Sequence, residues 1–402
     1  MDHEWVAAPV GIDAHRWISR TSCRTILVVV HSLVSCHRLL DVVDLVETDP
    51  RVQVVFTVGP DVFNGGVDDH LRELGALVIP WHQAVRSNVD LVLAASHGGL
   101  HELHSPVLLM AHGAGHGKLV PPAGHGGPPA RRKVVYGLDP QRLVRDGRVL
   151  ASTIVLAHRG ERDVLSEQCP DALPAAVLAG DICLDRLAAS LHRRDDYRRA
   201  LGVNAHQKLV VVSSTWGSDG LFGRLPGLLT DLLEQLSPDR FRVAALLHPA
   251  VWAAHGPRQI QAWTRSCRDA GLILLRPADD WRALIAAADY TVGDHGSVTA
   301  YAAAVGIPIL RIASAAAGVT TPGSAQDFVM RHAGQLQPQR PLEPQLLKAK
   351  RLDAVVGPLL SSHPGAATQL LHRAVYRRLG LSAPHRRRVA EAVPAPATRR
   401  PA

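Results

Sequence analysis

Residues 290–310 read YTVGDHGSVTAYAAAVGIPIL. Tyr290–Val292 is a short aromatic and β-branched run, which predicts a strand. Gly293-Asp294-His295-Gly296-Ser297 follows as a turn of small and polar residues. Val298–Val305 carries no breaker and is rich in Ala, so it predicts a helix. Gly306 closes that helix, and Ile307–Leu310 returns as a strand. Strand, helix and strand at this spacing predict two parallel neighbours in one sheet.

The same cycle extends upstream. Lys208–Ser214 (KLVVVSS), Phe241–Leu247 and Leu272–Leu275 predict strands. Leu225–Leu236, Pro257–Ala270 and Asp280–Ala287 predict the helices between them. A matching set begins near the N-terminus with Thr25–Val30 (TILVVV), a run suited to a strand buried on both faces. A helix over Leu33–Glu47 follows, with apolar residues at 39, 40, 43 and 46. Val52–Val58, Ala76–Pro80, Val89–Ala95 and Val107–Ala111 predict further strands, with a helix at Val67–Leu74. After a Gly/Pro-rich loop at 112–133, short strands appear at Val134–Tyr136, Thr153–Leu156 and Ala176–Leu178. Alternation throughout predicts an α/β fold of two Rossmann-like domains with parallel sheets.

The expected layout is a loose arm at 1–22, an N-terminal Rossmann-like domain at 23–195 and a C-terminal one at 196–340. Two helices at 341–382 follow, then a disordered basic tail at 383–402. Length agrees: 402 residues suit two or three domains. Apolar residues at 47% and charged residues at 20% exclude disorder for the bulk of the chain. No apolar run approaches the roughly 20 residues of a membrane span, and no signal-peptide pattern opens the sequence. The five Cys are scattered without a C-x-x-C, which points to free thiols in a reducing, cytoplasmic setting.

The formal charge is +8. Arg386, Arg387, Arg388, Arg399 and Arg400 contribute much of it from the tail. Aromatics make up only 4% of the chain, too few for the stacking platforms of a single-strand binder. No nucleic-acid-binding signature is present, so no nucleic-acid partner is expected. A basic tail beside anionic lipid would suit a peripheral location and a membrane-linked acceptor; a solvated tail is the alternative.

In open α/β sheets ligands bind outside the carboxyl ends of the strands, so the residues just past each strand carry the functional reading. Past Val107–Ala111 stand His112, Gly113 and, further on, Lys118. Glycine lets a backbone approach a ligand closely, imidazole exchanges protons near neutrality, and Lys118 can pair with phosphate. The loop is not a Walker A motif, because His112 and Leu119 occupy positions that require Gly and Ser/Thr. Six His lie between 97 and 125, but no H-E-x-x-H is present, and no metal is expected. Past Lys208–Ser214 stand Ser214 itself, Thr215 and Trp216. Past Phe241–Leu247 stands His248-Pro249. Past Tyr290–Val292 stand Asp294, Gly296 and Ser297 at a helix start, where unsatisfied amides and the positive dipole end suit a pyrophosphate. Each of these also has a plain reading as a polar loop, a structural histidine or an N-cap.

In order and spacing these motifs resemble the CDP-glycerol:glycerophosphate glycerophosphotransferases of teichoic acid synthesis, as a divergent member. That family's H-G-T-P-L-K is similar to His112-Gly113 with Lys118, one residue longer here. Its G-x-P-R-x-D is matched by Gly180 and Asp185 alone. Its P-T-W is similar to Ser214-Thr215-Trp216, and its H-P to His248-Pro249. Its S-D-Y-S-S is similar to Gly293-Asp294-His295-Gly296-Ser297, ahead of AYAAAVGIPIL. The resemblance implies a GT-B-like fold, with the two sheets facing a central cleft. It implies a metal-independent transferase without a cofactor, taking a nucleotide-diphosphate donor and a hydroxyl-bearing acceptor and releasing CMP. His112 would be the general base and His248 would stabilise charge on the pyrophosphate. Gly113, Lys118, Ser214, Thr215, Asp294, Gly296 and Ser297 would bind substrate. The alternatives are a nucleotide-sugar glycosyltransferase, a UDP-GlcNAc 2-epimerase-like enzyme, or a non-catalytic protein of the same fold.

Overall fold

The structure is a computed structural model. It describes residues 5–11, 14–121, 133–313, 318–385 and 388–396. The chain divides into two compact units. The first comprises residues 1–116, 120–182 and 365–389; the second comprises 117–119, 183–364 and 390–402.

Each unit is built on one six-stranded sheet, and the strands of these sheets are numbered here in chain order. In the first unit they are β1 (Arg24–Val30), β2 (Val52–Val58), β3 (Leu91–Ala94), β4 (Val107–Met110), β5 (Thr153–Leu156) and β6 (Ala176–Leu178). They lie in the order β6-β5-β4-β3-β1-β2, every pair parallel. Ile26–Val30 is buried on both faces, as a β-branched run with no polar alternation requires. Helix α1 (Leu33–Val43) starts from a Ser32 cap, in which Ser32 and Ser35 exchange hydrogen bonds. It packs Leu39, Val42 and Val43 on the sheet. Helix α2 (Arg159–Gln168) follows β5.

In the second unit the strands are β7 (Lys208–Ser214), β8 (Phe241–Leu247), β9 (Ile273–Leu274), β10 (Tyr290–Gly293), β11 (Ile309–Arg311) and β12 (Gly334–Gln335). Their order is β9-β8-β7-β10-β11-β12, again all parallel. Helices α3 (Pro249–His255) and α4 (Ser297–Ala304) leave the ends of β8 and β10. In both sheets the strand order reverses beside the first strand of the unit: between β1 and β3 in one, and between β7 and β10 in the other. These switch points are where loops diverge and leave a crevice at the carboxyl edge.

The expected α/β class and both parallel sheets are present, with several corrections. Ala76–Pro80 is not a strand: only Val78 bridges to Phe56, because Gly75 and Pro80 leave too short a run to pair further. The helix from Leu33 ends at Val43, not Glu47. Pro257–Ala270 is two short helices, Pro257–Trp263 and Arg265–Asp269, broken at Thr264. The segment expected as two C-terminal helices holds three, and they divide between the units. Leu342–Leu347 and Asp353–Leu360 lie in the second, while Ala367–Leu379 lies in the first. That last helix buries Leu371, Val375 and Leu379 in the first core at four-residue spacing. Its Tyr376 hydroxyl donates to Asp49 at 2.7 Å.

Among the described residues, both terminal segments make packing contacts. Near the N-terminus, the Gln83 amide bonds both the N–H and the C=O of Val6 at 2.9 Å, and Ala8 and Val10 are buried. In the tail, Val393 is fully buried in the second unit. Its carbonyl accepts from the Tyr197 hydroxyl at 2.7 Å, and its N–H donates to Ser190 Oγ at 3.0 Å. Arg386, Arg387, Arg399, Arg400 and the loop residues 122–132, with His125, lie outside the described residues. Among the described residues no helix is long and apolar enough to cross a membrane.

Candidate functional site

The nine residues singled out in the sequence fall into two groups, one on each unit. His112 and Gly113 stand at the carboxyl edge of the first sheet. Lys118, Ser214, Thr215, His248, Asp294, Gly296 and Ser297 come together on the second.

His112 follows β4 directly, next to the switch point. Its Nδ1 lies 2.9 Å from the carbonyl of Ala95, just past β3. A carbonyl can only accept, so Nδ1 carries the proton and Nε2 presents a lone pair. The ring reaches solvent yet is ringed by protein. That desolvation lowers its pKa below the ordinary histidine value. The Ala95 carbonyl opposes the shift, and the Arg38 and His116 charges add to it.

Three partners that the sequence reading did not single out as site residues hold this loop. Arg38 of α1 donates from Nη2 to the Gly113 carbonyl at 2.8 Å and pairs through Nη1 with Asp181 at 3.2 Å. Asp181 follows β6 and so fits the strand-end rule. Arg38 interrupts the apolar face of α1, the one sequence signal that could have found it. Glu161, in the first turn of α2, is the third. One of its oxygens accepts from the His116 N–H at 2.7 Å and faces His116 Nδ1 at 3.1 Å; the other accepts from the Ala157 N–H at 2.7 Å. Burial alone would raise the Glu161 carboxyl, but the His116 charge and these hydrogen bonds hold it at about 2.

Two predictions follow from this knot. Gly115 has φ +62°, and a Cβ there would stand 2.4 Å from Glu161 Oε1. Gly115→Ala is therefore both strained and crowded, and should cost about 2–4 kcal/mol in urea unfolding. Glu161 has a folded pKa below its unfolded one. Its stabilising contribution is thus present above the unfolded carboxyl pKa, near 4.5, and is lost as pH falls towards about 2. Glu161→Gln should remove up to roughly 3 kcal/mol at neutral pH and flatten stability through that acid window. Urea midpoints measured from pH 2 to 7 test it; parallel wild-type and variant curves would contradict it.

His97 lies close by, past β3, edge-on to Tyr136 at 5.9 Å. Burial lowers its pKa to about 3, so it is neutral at the site. Among the described residues no cluster of three or more His, Cys, Asp or Glu is arranged to hold a metal ion.

On the second unit, Asp294 organises the switch point. It is 1% exposed. One carboxylate oxygen accepts from the Thr215 and Leu221 N–H groups, both at 2.8 Å, and the other from Gly296 N–H at 2.9 Å. Burial pushes its pKa up, against these three amides and His295. Asp294 ties the loop after β7 to the loop after β10. The Gly296 amide is engaged by the same carboxylate. Ser297 opens α4, whose first-turn amides point out of the helix end. Ser214 Oγ donates to the Thr215 carbonyl and accepts from Phe222 N–H at 2.9 Å, which shapes the same loop. Lys118 belongs to this unit. Its ammonium sits 5.2 Å from the centre of the Trp216 ring, and its backbone bridges Thr320.

His248 follows β8, and its own N–H bonds the Ser214 carbonyl at 3.0 Å. It caps α3: its Nδ1 accepts from the Ala250 N–H at 3.1 Å. The proton of the neutral ring is therefore on Nε2. His112 and His248 are thus held in opposite tautomers, one presenting a lone pair and the other an N–H.

No protein-family model matches the chain, and no curated protein matches it. Among solved structures it is similar to the wall teichoic acid polymerase TagF. A histidine-to-asparagine variant of TagF soaked with CDPG matches with TM-score 0.62 and 12% identity, over 89% of each chain. TagF without that change matches with TM-score 0.59 and 12% identity, again over 89% of each. At this identity the likeness establishes the fold: two Rossmann-like units of GT-B type, the architecture that the motif resemblance implied.

Proposed function

We propose that the protein is a transferase that moves glycerophosphate, or a closely related group, from a CDP-linked donor to an acceptor hydroxyl and releases CMP. The observation that carries this reading is the pair of opposite histidine tautomers at strand ends. An acceptor hydroxyl needs a base with an available lone pair, and His112 Nε2 supplies it. A pyrophosphate needs hydrogen-bond donors where charge develops, and His248 Nε2–H supplies one. The acceptor oxygen attacks the phosphorus that bears glycerol while its proton passes to His112. The bridging P–O bond breaks, and CMP leaves with the electron pair.

The other roles belong to the same proposal. The first turn of α4 at Ser297, together with Thr215 and Lys118, faces the donor phosphates. Ser214, Asp294 and Gly296 shape the loop that presents them. Gly113 supplies the backbone beside the base. The motif resemblance and the likeness to TagF support the choice of a CDP-linked donor over a sugar nucleotide.

The test is to incubate the purified protein with CDP-glycerol and a glycerophosphate-bearing acceptor and to measure CMP. CDP raising the melting temperature more than UDP supports a cytidine-linked donor. Absence of turnover across CDP-, UDP- and GDP-linked donors overturns the reading.

A further inference from the structure

We propose that Arg38 is a positioning residue for the candidate base: clamped by Asp181, its guanidinium grips the Gly113 carbonyl and so fixes the backbone that carries His112. This inference rests on the transferase reading for its effect on turnover, but not for its effect on the His112 ring.

Arg38 and Asp181 have side-chain exposures of 6% and 1%. They are 143 residues apart in sequence and belong to α1 and to the turn after β6. The guanidinium reaches both Asp181 oxygens, at 3.2 and 3.5 Å, and the Gly113 carbonyl at 2.8 Å. Only a planar fork can make contacts in these directions at once. Gly113 follows His112 directly. On its other side the same loop is held by Glu161 at His116. The ring itself is held by the Ala95 carbonyl. His112 is therefore set by three fixed points, and Arg38 is the one that acts on its neighbouring peptide.

A cavity of about 20 Å3 lies against this contact, lined by Arg38, Gly113, Gly115, Gly180 and Asp181. It has room for about one water molecule. Truncating Arg38 would enlarge it and leave the Gly113 carbonyl without this donor, so the loop could relax inward.

Charge gives a second readout. The groups facing His112 are Arg38 from α1, Asp61 past β2, His97 past β3, and His116 in its own loop. Arg38 disfavours the imidazolium and Asp61 favours it. Removing the Arg38 charge should therefore raise the His112 pKa. A lysine at that position should leave it near the wild-type value.

The experiment compares Arg38→Lys, Arg38→Met and the double variant Arg38→Met/Asp181→Asn, which keeps the buried charge balanced if the single loss does not fold. Histidine labelled at Cε1 is titrated by NMR, with the His112 resonance assigned by its loss in His112→Gln. CMP release from CDP-glycerol is measured on the same samples. Arg38→Lys should lose roughly 10- to 100-fold in kcat with an unchanged KM for the donor and an unchanged His112 pKa. Arg38→Met should lose as much and also show a raised His112 pKa; the double variant, which also removes the Asp181 charge, should lose as much kcat. A folded Arg38→Lys or double variant with full kcat overturns the proposal, and so does a folded Arg38→Met whose His112 titrates as in wild type. If the wild type itself releases no CMP, the transferase reading fails. The titration arm then decides alone whether Arg38 governs the His112 ring.

Discussion

His112→Ala removes roughly two to four powers of ten from CMP release while leaving the fold in place. That is the range general-base catalysis contributes to a hydroxyl attack. The side chain is exposed and donates a hydrogen bond to the Ala95 carbonyl, so truncation costs about 1 kcal/mol of stability. A pH profile separates the base from a bystander. The base works deprotonated, and the ring's pKa lies below the ordinary histidine value. Wild-type kcat should thus rise through that lowered pKa and be flat by neutral pH. In the variant that limb should vanish, with the residual rate following hydroxide alone. Full turnover by His112→Ala at pH 7 would falsify the assignment.

The sheets were legible because their strands advertise themselves. Ile26–Val30 and Leu209–Val212 are apolar at every position, which only a strand covered on both faces tolerates. The strand-end rule then located His112, His248 and the loop before α4 without any knowledge of distances. What it missed are pairings between remote positions. Arg38 on α1 and Asp181 past β6 meet although 143 residues separate them in sequence, and neither residue has a local pattern that names the other. Glu161 reads as an ordinary first-turn acid that helps cap α2, and that role conceals the hold of its other oxygen on His116. Composition misled at both ends of the chain. The run around Val393 is rich in Pro and Ala, which suggests disorder, yet one valine side chain and two hydrogen bonds, one from the Tyr197 hydroxyl and one to Ser190 Oγ, fix it. Such anchoring depends on a docking surface made elsewhere in the chain, which no local window contains.

Asp294→Asn should be the most damaging single substitution on the second unit, and the reason is the arithmetic of donors. The carboxylate is acceptor-only and receives three amide N–H groups. An asparagine keeps one oxygen and turns an NH2 towards donors. If the oxygen faces Thr215 and Leu221, the NH2 confronts Gly296; if it is flipped, two amides lose their partner. Each orphaned buried donor costs about 1–3 kcal/mol, and the better orientation orphans one, so a loss of about 1–3 kcal/mol is expected. Urea unfolding followed by the fluorescence of Trp216 and the other tryptophans measures it. The functional effect should be larger than the stability loss implies. Both loops at the switch point hang on this one side chain, so the amides of α4 and the Thr215 loop lose their mutual register. Protection of the folded protein by CDP should then disappear even at temperatures where the variant stays folded. A phosphate ligand at position 294 would behave differently. An anion placed against a phosphate repels it, so neutralising such a residue would tighten nucleotide binding. Weaker binding together with lost stability therefore marks Asp294 as the tie between the loops. Tighter binding at wild-type stability would return it to the phosphate contact that its place in the sequence suggests.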